Sequence, residues 1–150
     1  MQNDRKTIFG WCMYDWANSA YATTVLAGLL PAYFADAVVG ERSVTLAGST
    51  YSATSLWGFS VSAAALIAFL IAPVLGATAD FSTAKKRFLL AFAYGGALFT
   101  TLLFFCREGD VAMTLIFFVI AQLGFVGGNV FYDAFLPIIA SDDTMDRVSG

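Results

Sequence analysis

Four long runs of apolar residues, separated by short clusters of charged residues, constrain this chain more than any other feature of its sequence. The runs cover about residues 19–39, 56–77, 88–106 and 111–140. Each contains about the 20 residues that an α-helix needs to cross ~30 Å of hydrocarbon. Only 13% of the residues are charged, whereas soluble domains are usually about a quarter charged. The sequence therefore predicts an all-α integral membrane protein with four transmembrane helices and no separate soluble domain in residues 1–150.

The lysines and arginines predict how these helices are oriented. Two basic residues fall on one side of the predicted membrane, Arg42 and Arg107, and six fall on the other: Arg5, Lys6, Lys85, Lys86, Arg87 and Arg147. Because cytosolic loops carry the excess of basic residues, we expect both termini in the cytosol. The very short segment before the first run favours a bacterial inner membrane. The lipid bilayer is then the first partner of the chain.

Several classes of chemistry are disfavoured by composition. The chain has no histidine, which is the commonest general base and metal ligand. Its two cysteines, Cys12 and Cys106, are predicted near opposite faces of the membrane, so we expect no disulfide and no thiolate metal cluster. Nucleic-acid binding is not indicated, because the chain has no basic patch with interleaved aromatic residues. We therefore expect no metal, no cofactor and no enzymatic activity.

Polar residues at the start of the first run have helical spacing. In MYDWANSAY, Asp15, Asn18 and Ser19 follow each other at i, i+3 and i+4, which places them on one side of a helix. Near the end of the fourth run, Gln122 and two further polar residues are spaced at i, i+7 and i+11, namely Asn129 and Asp133. Polar side chains facing lipid are costly, so both stripes should face protein or water. Two facing stripes indicate a path for a polar solute.

The depth of the two aspartates also agrees. Lys6 precedes Asp15 by nine residues, and Asp142 follows Asp133 by nine. If both segments are helical, each aspartate lies on the order of 13 Å from its flanking charge, in the same half of the membrane. Asp15 has an alternative interpretation as an interfacial helix cap, within an aromatic belt formed by Trp11, Tyr14 and Trp16.

Two other function classes remain open on the residues alone. A pair of aspartates on neighbouring helices is also the catalytic group of an intramembrane aspartyl protease, but the chain lacks a G-x-G-D motif. A stand-alone four-helix protein, either a small oligomeric transporter or an assembly subunit, would show the same four runs.

Small residues and prolines inside the runs indicate how the helices pack. Gly124 and Gly128 form a G-x-x-x-G pattern, which predicts close helix approach. Ala72, Gly76 and Asp80 share one face of the second run, at steps of four. All three prolines lie within runs: Pro31, Pro73 and Pro137. The fourth run, at ~1.5 Å per residue, is longer than the membrane is thick, so it must tilt, bend or protrude.

One stretch after the second run resembles a known signature. GATADFSTAKKR, residues 76–87, is similar to the loop motif of the major facilitator superfamily, roughly G-x-x-x-D-R-x-G-R-R. Gly76 and Asp80 match, and a basic end is supplied by Lys85, Lys86 and Arg87. Phe81 and Thr83 depart from the motif, standing where Arg and Gly are expected.

Other stretches sharpen the resemblance over nearly the whole chain. WCMYDWANSAYATTVLAGLLPAYF, APVLGATAD, FYDAFLP and DRVSG resemble, in this order, the vacuole-effluxer-like branch of that superfamily. Asp133 departs from the branch, in which this position is commonly Asn. The resemblance implies a twelve-helix transporter made of two six-helix halves, with this chain holding the first four helices. It also implies that the first and fourth helices line the central cavity, and that amino acids are the solute.

These observations lead to two mechanistic hypotheses. Asp80, with Gly76 and the basic end of the motif, is predicted to act in gating, because its carboxylate can pair with a basic residue or with helix N-terminal amides. Asp133 is predicted to bind a coupling proton or a cationic group of the solute. The residues predicted to line the path are Asp15, Asn18, Ser19, Gln122, Asn129 and Asp133.

Overall fold

A computed structural model describes residues 2–40, 43–46, 48–81 and 83–149; Arg42, which was used to predict the orientation, lies outside them. Four helices in the described part are long and apolar enough to cross a membrane: α1 (Arg5–Val39), α2 (Ala53–Phe81), α3 (Lys85–Phe105) and α4 (Val111–Ile139). A short helix, α5 (Met145–Ser149), follows them. The prediction of four transmembrane helices is confirmed.

The largest difference from the predicted bounds is the start of α1, which begins at Arg5 instead of near residue 19. Asp4 is its N-cap and accepts hydrogen bonds from the Thr7 N–H at 3.0 Å and the Thr7 hydroxyl at 2.7 Å. These bonds lower the pKa of the exposed Asp4 carboxyl. Because no proline interrupts residues 5–20, the helix runs through the polar residues that hydropathy had left outside it.

Hydrogen bonding along α1 alternates between α- and π-helical. The helix is α-helical over Arg5–Ala20, π-helical over Tyr21–Leu29, α-helical over Leu30–Tyr33 and π-helical over Phe34–Val39. Pro31 gives a physical reason for the first π-helical segment, since its ring would clash with the Ala27 carbonyl in a regular α-helix. A wider turn just before the proline relieves this clash. In that turn the Leu30 N–H reaches the Val25 carbonyl.

A β-hairpin connects α1 to α2 where the sequence predicted only a polar loop. β1 (Val44–Leu46) pairs antiparallel with β2 (Ser49–Tyr51), and Val44 lies opposite Tyr51. Both of these side chains pack against the buried cluster of Phe34, Val38, Val39 and Leu56. The hairpin therefore covers one end of the bundle, which we call the hairpin end; the opposite end, which carries residues 2–4 and 140–149, is the terminal end.

The hairpin end also contains most of the buried contacts of α1. Leu30 packs with Leu103, Cys106 and Phe118. The Tyr33 hydroxyl donates a hydrogen bond to the Cys106 carbonyl at 2.5 Å. Cys106 is buried and Cys12 is exposed, and both are free thiols.

Glycines allow α4 to approach two neighbours closely. A Cβ atom on Gly124 would lie 2.6 Å from the Gly96 Cα of α3, and one on Gly128 would lie 2.8 Å from the Tyr14 hydroxyl of α1. Both distances are shorter than any van der Waals contact. The predicted role of the G-x-x-x-G pattern in close packing is therefore confirmed, with one glycine facing each neighbouring helix.

The fourth helix, which its length predicted to tilt, bend or protrude, is interrupted near its end. Its α-helical part ends at Asp133, a turn follows, and helix resumes over Leu136–Ile139. Pro137 explains the break, because it lacks an N–H and its ring would clash with the Asp133 carbonyl. The helix ends at Ala140, whose backbone is extended with φ −116° and ψ 145°.

The motif at residues 76–87 is mostly helical, which corrects its assignment to a loop. Gly76 and Asp80 lie within α2, which continues to Phe81, and α3 begins at Lys85. The sequence between Gly76 and Phe81 contains no helix breaker, so the helix continues to the start of the link. The basic residues of the motif form the first turn of α3, and only residues 82–84 separate the two helices.

Candidate functional site

The two polar stripes meet at an asparagine pair. The Asn18 Nδ2 atom on α1 donates a hydrogen bond to the Asn129 Oδ1 atom on α4. Both side chains are half-buried. Each carboxamide keeps further donor and acceptor positions, because Asn carries two N–H donors and two acceptor lone pairs. The pair can therefore exchange its mutual bond for bonds to a polar ligand.

An aromatic cluster lies beside this pair toward the terminal end. The Trp11 ring stacks on Tyr132 with centroids 4.3 Å apart, and the Tyr14 ring stacks on Tyr132 at 5.0 Å. The Trp11 Nε1–H also donates to the Tyr132 carbonyl at 3.2 Å. Trp11 and Tyr14 therefore pack on α4, a contact that the aromatic-belt interpretation did not include. Trp16 is 70% exposed, as a belt residue would be.

Sequence reasoning missed this cluster although a signal for it exists. Trp11, Tyr14 and Asn18 are spaced at i, i+3 and i+7, and they lie on one helical face. That face continues the polar stripe toward the start of α1. Aromatic stacking fixes how α1 and α4 are turned toward each other.

Both predicted carboxylates lie on the terminal side of the asparagine pair. Asp15 and Asp133 are exposed, and each directly follows a tyrosine of the aromatic cluster, Tyr14 and Tyr132. The cap interpretation of Asp15 is wrong, since the helix begins ten residues earlier and Asp4 caps it. Asp133 is the last residue of the long α-helical part of α4. The structure therefore brings these two carboxylates to the same end of the path.

Two predicted path residues do not join the pair. Ser19 is exposed, and its carbonyl accepts a hydrogen bond from the Thr23 hydroxyl at 2.8 Å. Gln122 is half-buried, and its Oε1 atom is buried without a hydrogen-bond partner among the described residues. A buried carbonyl oxygen without a donor costs free energy. It is therefore a position where a ligand N–H or O–H would be favoured.

A cavity of about 390 Å³ opens between α1, α3 and α4. Asn18 lies on its wall, and α3 contributes small and hydroxyl-bearing residues, among them Gly96, Thr100 and Thr101. The described residues that line it include no charged residue. Helix α3 was not predicted to take part in the site, although Ala93, Gly96 and Thr100 are spaced on one helical face.

The predicted gating residues lie apart from this site, at the link between α2 and α3. Asp80 is exposed, and within the described part of the chain no ion pair joins it to Lys85, Lys86 or Arg87. Gly76 is open, since a Cβ atom there would meet no heavy atom within 4 Å. Asp80 lies at a helix C-terminus and the basic residues at a helix N-terminus, so both are disfavoured by the helix dipoles.

The described residues contain no group of three or more side chains suited to hold a metal ion. The site consists of carboxamides, hydroxyls, carboxylates and aromatic rings. Such groups bind polar ligands through hydrogen bonds and charge.

Comparisons with known proteins match nearly the whole chain. The family model described as "Vacuole effluxer Atg22 like" matches residues 3–149. The chain is 34% identical over 139 residues to the "Uncharacterized MFS-type transporter YxiO" of Bacillus subtilis (strain 168), covering 93% of this chain and 31% of that protein. It is 25% identical over 176 residues to "Autophagy-related protein 22" of Coccidioides immitis (strain RS), covering 93% of this chain and 29% of that protein. The chain thus spans about a third of the length of these curated relatives. No solved structure matches it.

Proposed function

Because the chain belongs to the family of Atg22-like vacuole effluxers, we propose that it forms part of a secondary active transporter for a small polar solute. The solute crosses by alternating access, with α1 and α4 lining the path. Amino acids are the solute class, as the sequence resemblance implies. The four spans are the first four helices of an incomplete N-terminal six-helix half, and the remaining helices of the complete protein form the rest of the cavity.

The observation that carries this proposal is the hydrogen bond between Asn18 and Asn129. It joins two half-buried carboxamides from helices at opposite ends of the described sequence. A solute that enters between α1 and α4 replaces this bond by bonds of its own, so neither carboxamide is left unsatisfied in either state. The unpartnered Gln122 carbonyl offers a further acceptor on α4.

Asp15 and Asp133 supply negative charge at the terminal end of the path. Two nearby carboxylates favour a cation between them. In this proposal Asp133 binds a coupling proton or a cationic group of the solute, and Asp15 strengthens that preference.

Asp80 acts in gating through a partner that changes between conformations. Its position at the end of α2 is electrostatically unfavourable, and no described residue forms an ion pair with it here. A carboxylate in this position is stabilised when the transporter brings a cation or helix N-terminal amides to it. The basic residues Lys85, Lys86 and Arg87 hold their end of the bundle in the cytosol.

Transport by the complete protein in proteoliposomes tests the proposal. Asn129→Ala removes the acceptor of the carboxamide pair, and we expect uptake of labelled amino acids, measured as kcat/KM, to fall about tenfold. Ile116→Ala is the matched control, because Ile116 lies on the same helix and its side chain is 57% exposed. Unchanged uptake in both Asn129→Ala and Asn18→Ala would contradict the path.

The same assay tests the two charged positions. Asp133→Asn should flatten the dependence of uptake on pH. Asp80→Asn should alter the rate of solute uptake without changing KM for the solute. If Asp133→Asn preserves the pH dependence, the coupling role is wrong. If Asp80→Asn preserves the rate and the accessibility of both faces, the gating role is wrong.

A further inference from the structure

The terminal half of α1 is held in the bundle with little burial. Neither the α-helical segment Arg5–Ala20 nor the π-helical segment Tyr21–Leu29 contains a buried residue. The hairpin-end half is different, since Leu30 and Phe34 belong to buried clusters. Helix α1 is therefore anchored at the hairpin end, and Arg5–Ala20, which we call the arm, continues from it through a π-helical segment.

Specific contacts hold the arm against α4. Within a membrane, apolar surface alone gives little preference for one helix over lipid, so hydrogen bonds and close packing determine the position of a helix. Two of these contacts are the Asn18–Asn129 hydrogen bond and the stack of Trp11 on Tyr132. The third lies just before the start of α1 and is made by Asn3.

Asn3 binds the end of α4 and the segment after it through four hydrogen bonds. Its N–H donates to the Ile139 carbonyl at 2.7 Å. Its Nδ2 atom donates to the Ser141 hydroxyl at 2.8 Å. Its Oδ1 atom accepts from the Thr144 hydroxyl at 2.8 Å and from the Ser141 N–H at 3.3 Å. We call this set of contacts the Asn3 clip.

The identity of the residue explains why the clip forms. Asn3 has φ 61° and is the one non-glycine residue in the described part of the chain with a positive φ. Asparagine tolerates this left-handed conformation better than most residues. The Ile139 carbonyl lies in the last turn of α4 and has no N–H partner within the helix. The Asn3 N–H thus caps α4, while the side chain binds the chain that follows.

We propose that Asn3 is a positioning residue for the Asn18–Asn129 pair. It fixes the first turn of the arm to the end of α4, and the arm in turn holds Asn18 opposite Asn129. When the clip opens, the arm moves at the π-helical segment Tyr21–Leu29, and Asn18 and Asp15 separate from α4. This inference rests on the proposed function for its effect on transport, but the clip and the geometry of the pair can be measured without transport.

The test compares three variants of the complete protein. Asn3→Gly keeps the positive φ and the N–H but removes the three side-chain bonds. Asn3→Asp keeps the oxygen acceptors and tolerates the same backbone. Gln2→Ala is the adjacent control, since Gln2 makes one long hydrogen bond, 3.4 Å to the Pro137 carbonyl.

Two structural readouts are used. Hydrogen exchange of the Ser141 amide reports the clip, and we expect about fivefold faster exchange in Asn3→Gly, corresponding to one lost hydrogen bond. A short bis-maleimide cross-linker, which adds one cysteine thiol at each end, reports the pair in the variant Asn18→Cys, Asn129→Cys with Cys12→Ser and Cys106→Ala in the background. Its yield should fall several-fold in Asn3→Gly, recover in Asn3→Asp and stay unchanged in Gln2→Ala.

The kinetic readout is amino-acid uptake in variants that retain both asparagines of the pair. Asn3→Gly should raise KM more than it lowers kcat, since the pair is mispositioned and not removed. Unchanged cross-linking in Asn3→Gly, with or without faster exchange at Ser141, would overturn the positioning role. If cross-linking falls as expected but the unmodified protein moves no amino acid, the clip stands and the proposed solute is wrong.

Discussion

Gly124 shows how one missing side chain sets the distance between two helices. A Cβ atom there would lie 2.6 Å from the Gly96 Cα and 2.7 Å from the Gly96 backbone nitrogen. Both are backbone atoms, which cannot rotate away, so α3 and α4 must separate to admit a methyl group. We expect Gly124→Ala to lower the free energy of unfolding by about 1–3 kcal/mol, measured by reversible denaturation in detergent.

Gly95 provides the matched control for this prediction. It is adjacent to Gly96 in α3, and a Cβ atom on it would meet no heavy atom within 4 Å. Gly95→Ala should be neutral or slightly stabilising, since alanine favours a helix over glycine. A loss of stability in Gly95→Ala equal to that in Gly124→Ala would mean that helix contact is not the cause.

At the level of single residues, the sequence predicted the asparagine pair better than its surroundings. Helical spacing alone placed Asn18 and Asn129 on inward faces, because polar side chains avoid lipid. Spacing does not say which aromatic residue stacks on which. Trp11 and Tyr14 are equally suited to a membrane interface, and only the contact with Tyr132 shows that they pack on α4.

At the level of helices, hydropathy predicted the apolar part of each span but not the whole helix. The start of α1 is polar and amphipathic, so its limit depends on the Asp4 cap. The end of α2 is similar, since it carries Asp80 beyond the apolar run. The alternation of α- and π-helical bonding in α1 has no hydropathy signal. Pro31 was visible in the sequence, but Pro73 lies inside a regular α-helix and Pro137 follows a break in α4, so a proline alone does not predict π-helical bonding.

Pro31 gives a prediction about the form of α1. Pro31→Ala restores an N–H donor and removes the clash with the Ala27 carbonyl, so the segment Tyr21–Leu29 should become α-helical. When a wide turn becomes an α-helical turn, the register of the helix changes. Each residue of this change rotates the arm about the helix axis by ~100°. Asn18 would then turn away from Asn129, and cross-linking between cysteines at these two positions should fall several-fold.

The control is another proline of the same chain. Pro73 lies inside α2, which is α-helical from Ala53 to Phe81, so Pro73→Ala should leave the cross-linking yield unchanged. If Pro31→Ala also leaves it unchanged, the proline is not what maintains the π-helical segment.

At the level of the whole molecule, family membership confirms that the four helices are a fragment of a twelve-helix major facilitator fold. The sequence indicated this through motifs, because four apolar runs alone fit a small stand-alone protein equally well. The cavity shared by α1, α3 and α4 was not predicted, although helical spacing places its α3 residues on one face. It depends on how three helices pack, and a side chain at Gly124 would collide with the Gly96 backbone of α3.

The orientation of the bundle is a prediction that the complete protein can test in intact bacteria. Thr50 in the hairpin and Thr83 in the link between α2 and α3 are exposed at opposite ends. In a Cys12→Ser, Cys106→Ala background, a membrane-impermeant maleimide should label Thr50→Cys in intact cells. It should label Thr83→Cys only after permeabilisation, since the basic residues beside Thr83 stay in the cytosol. The reverse pattern would place both described termini outside, and the gating role of Asp80 would then belong to the outer face.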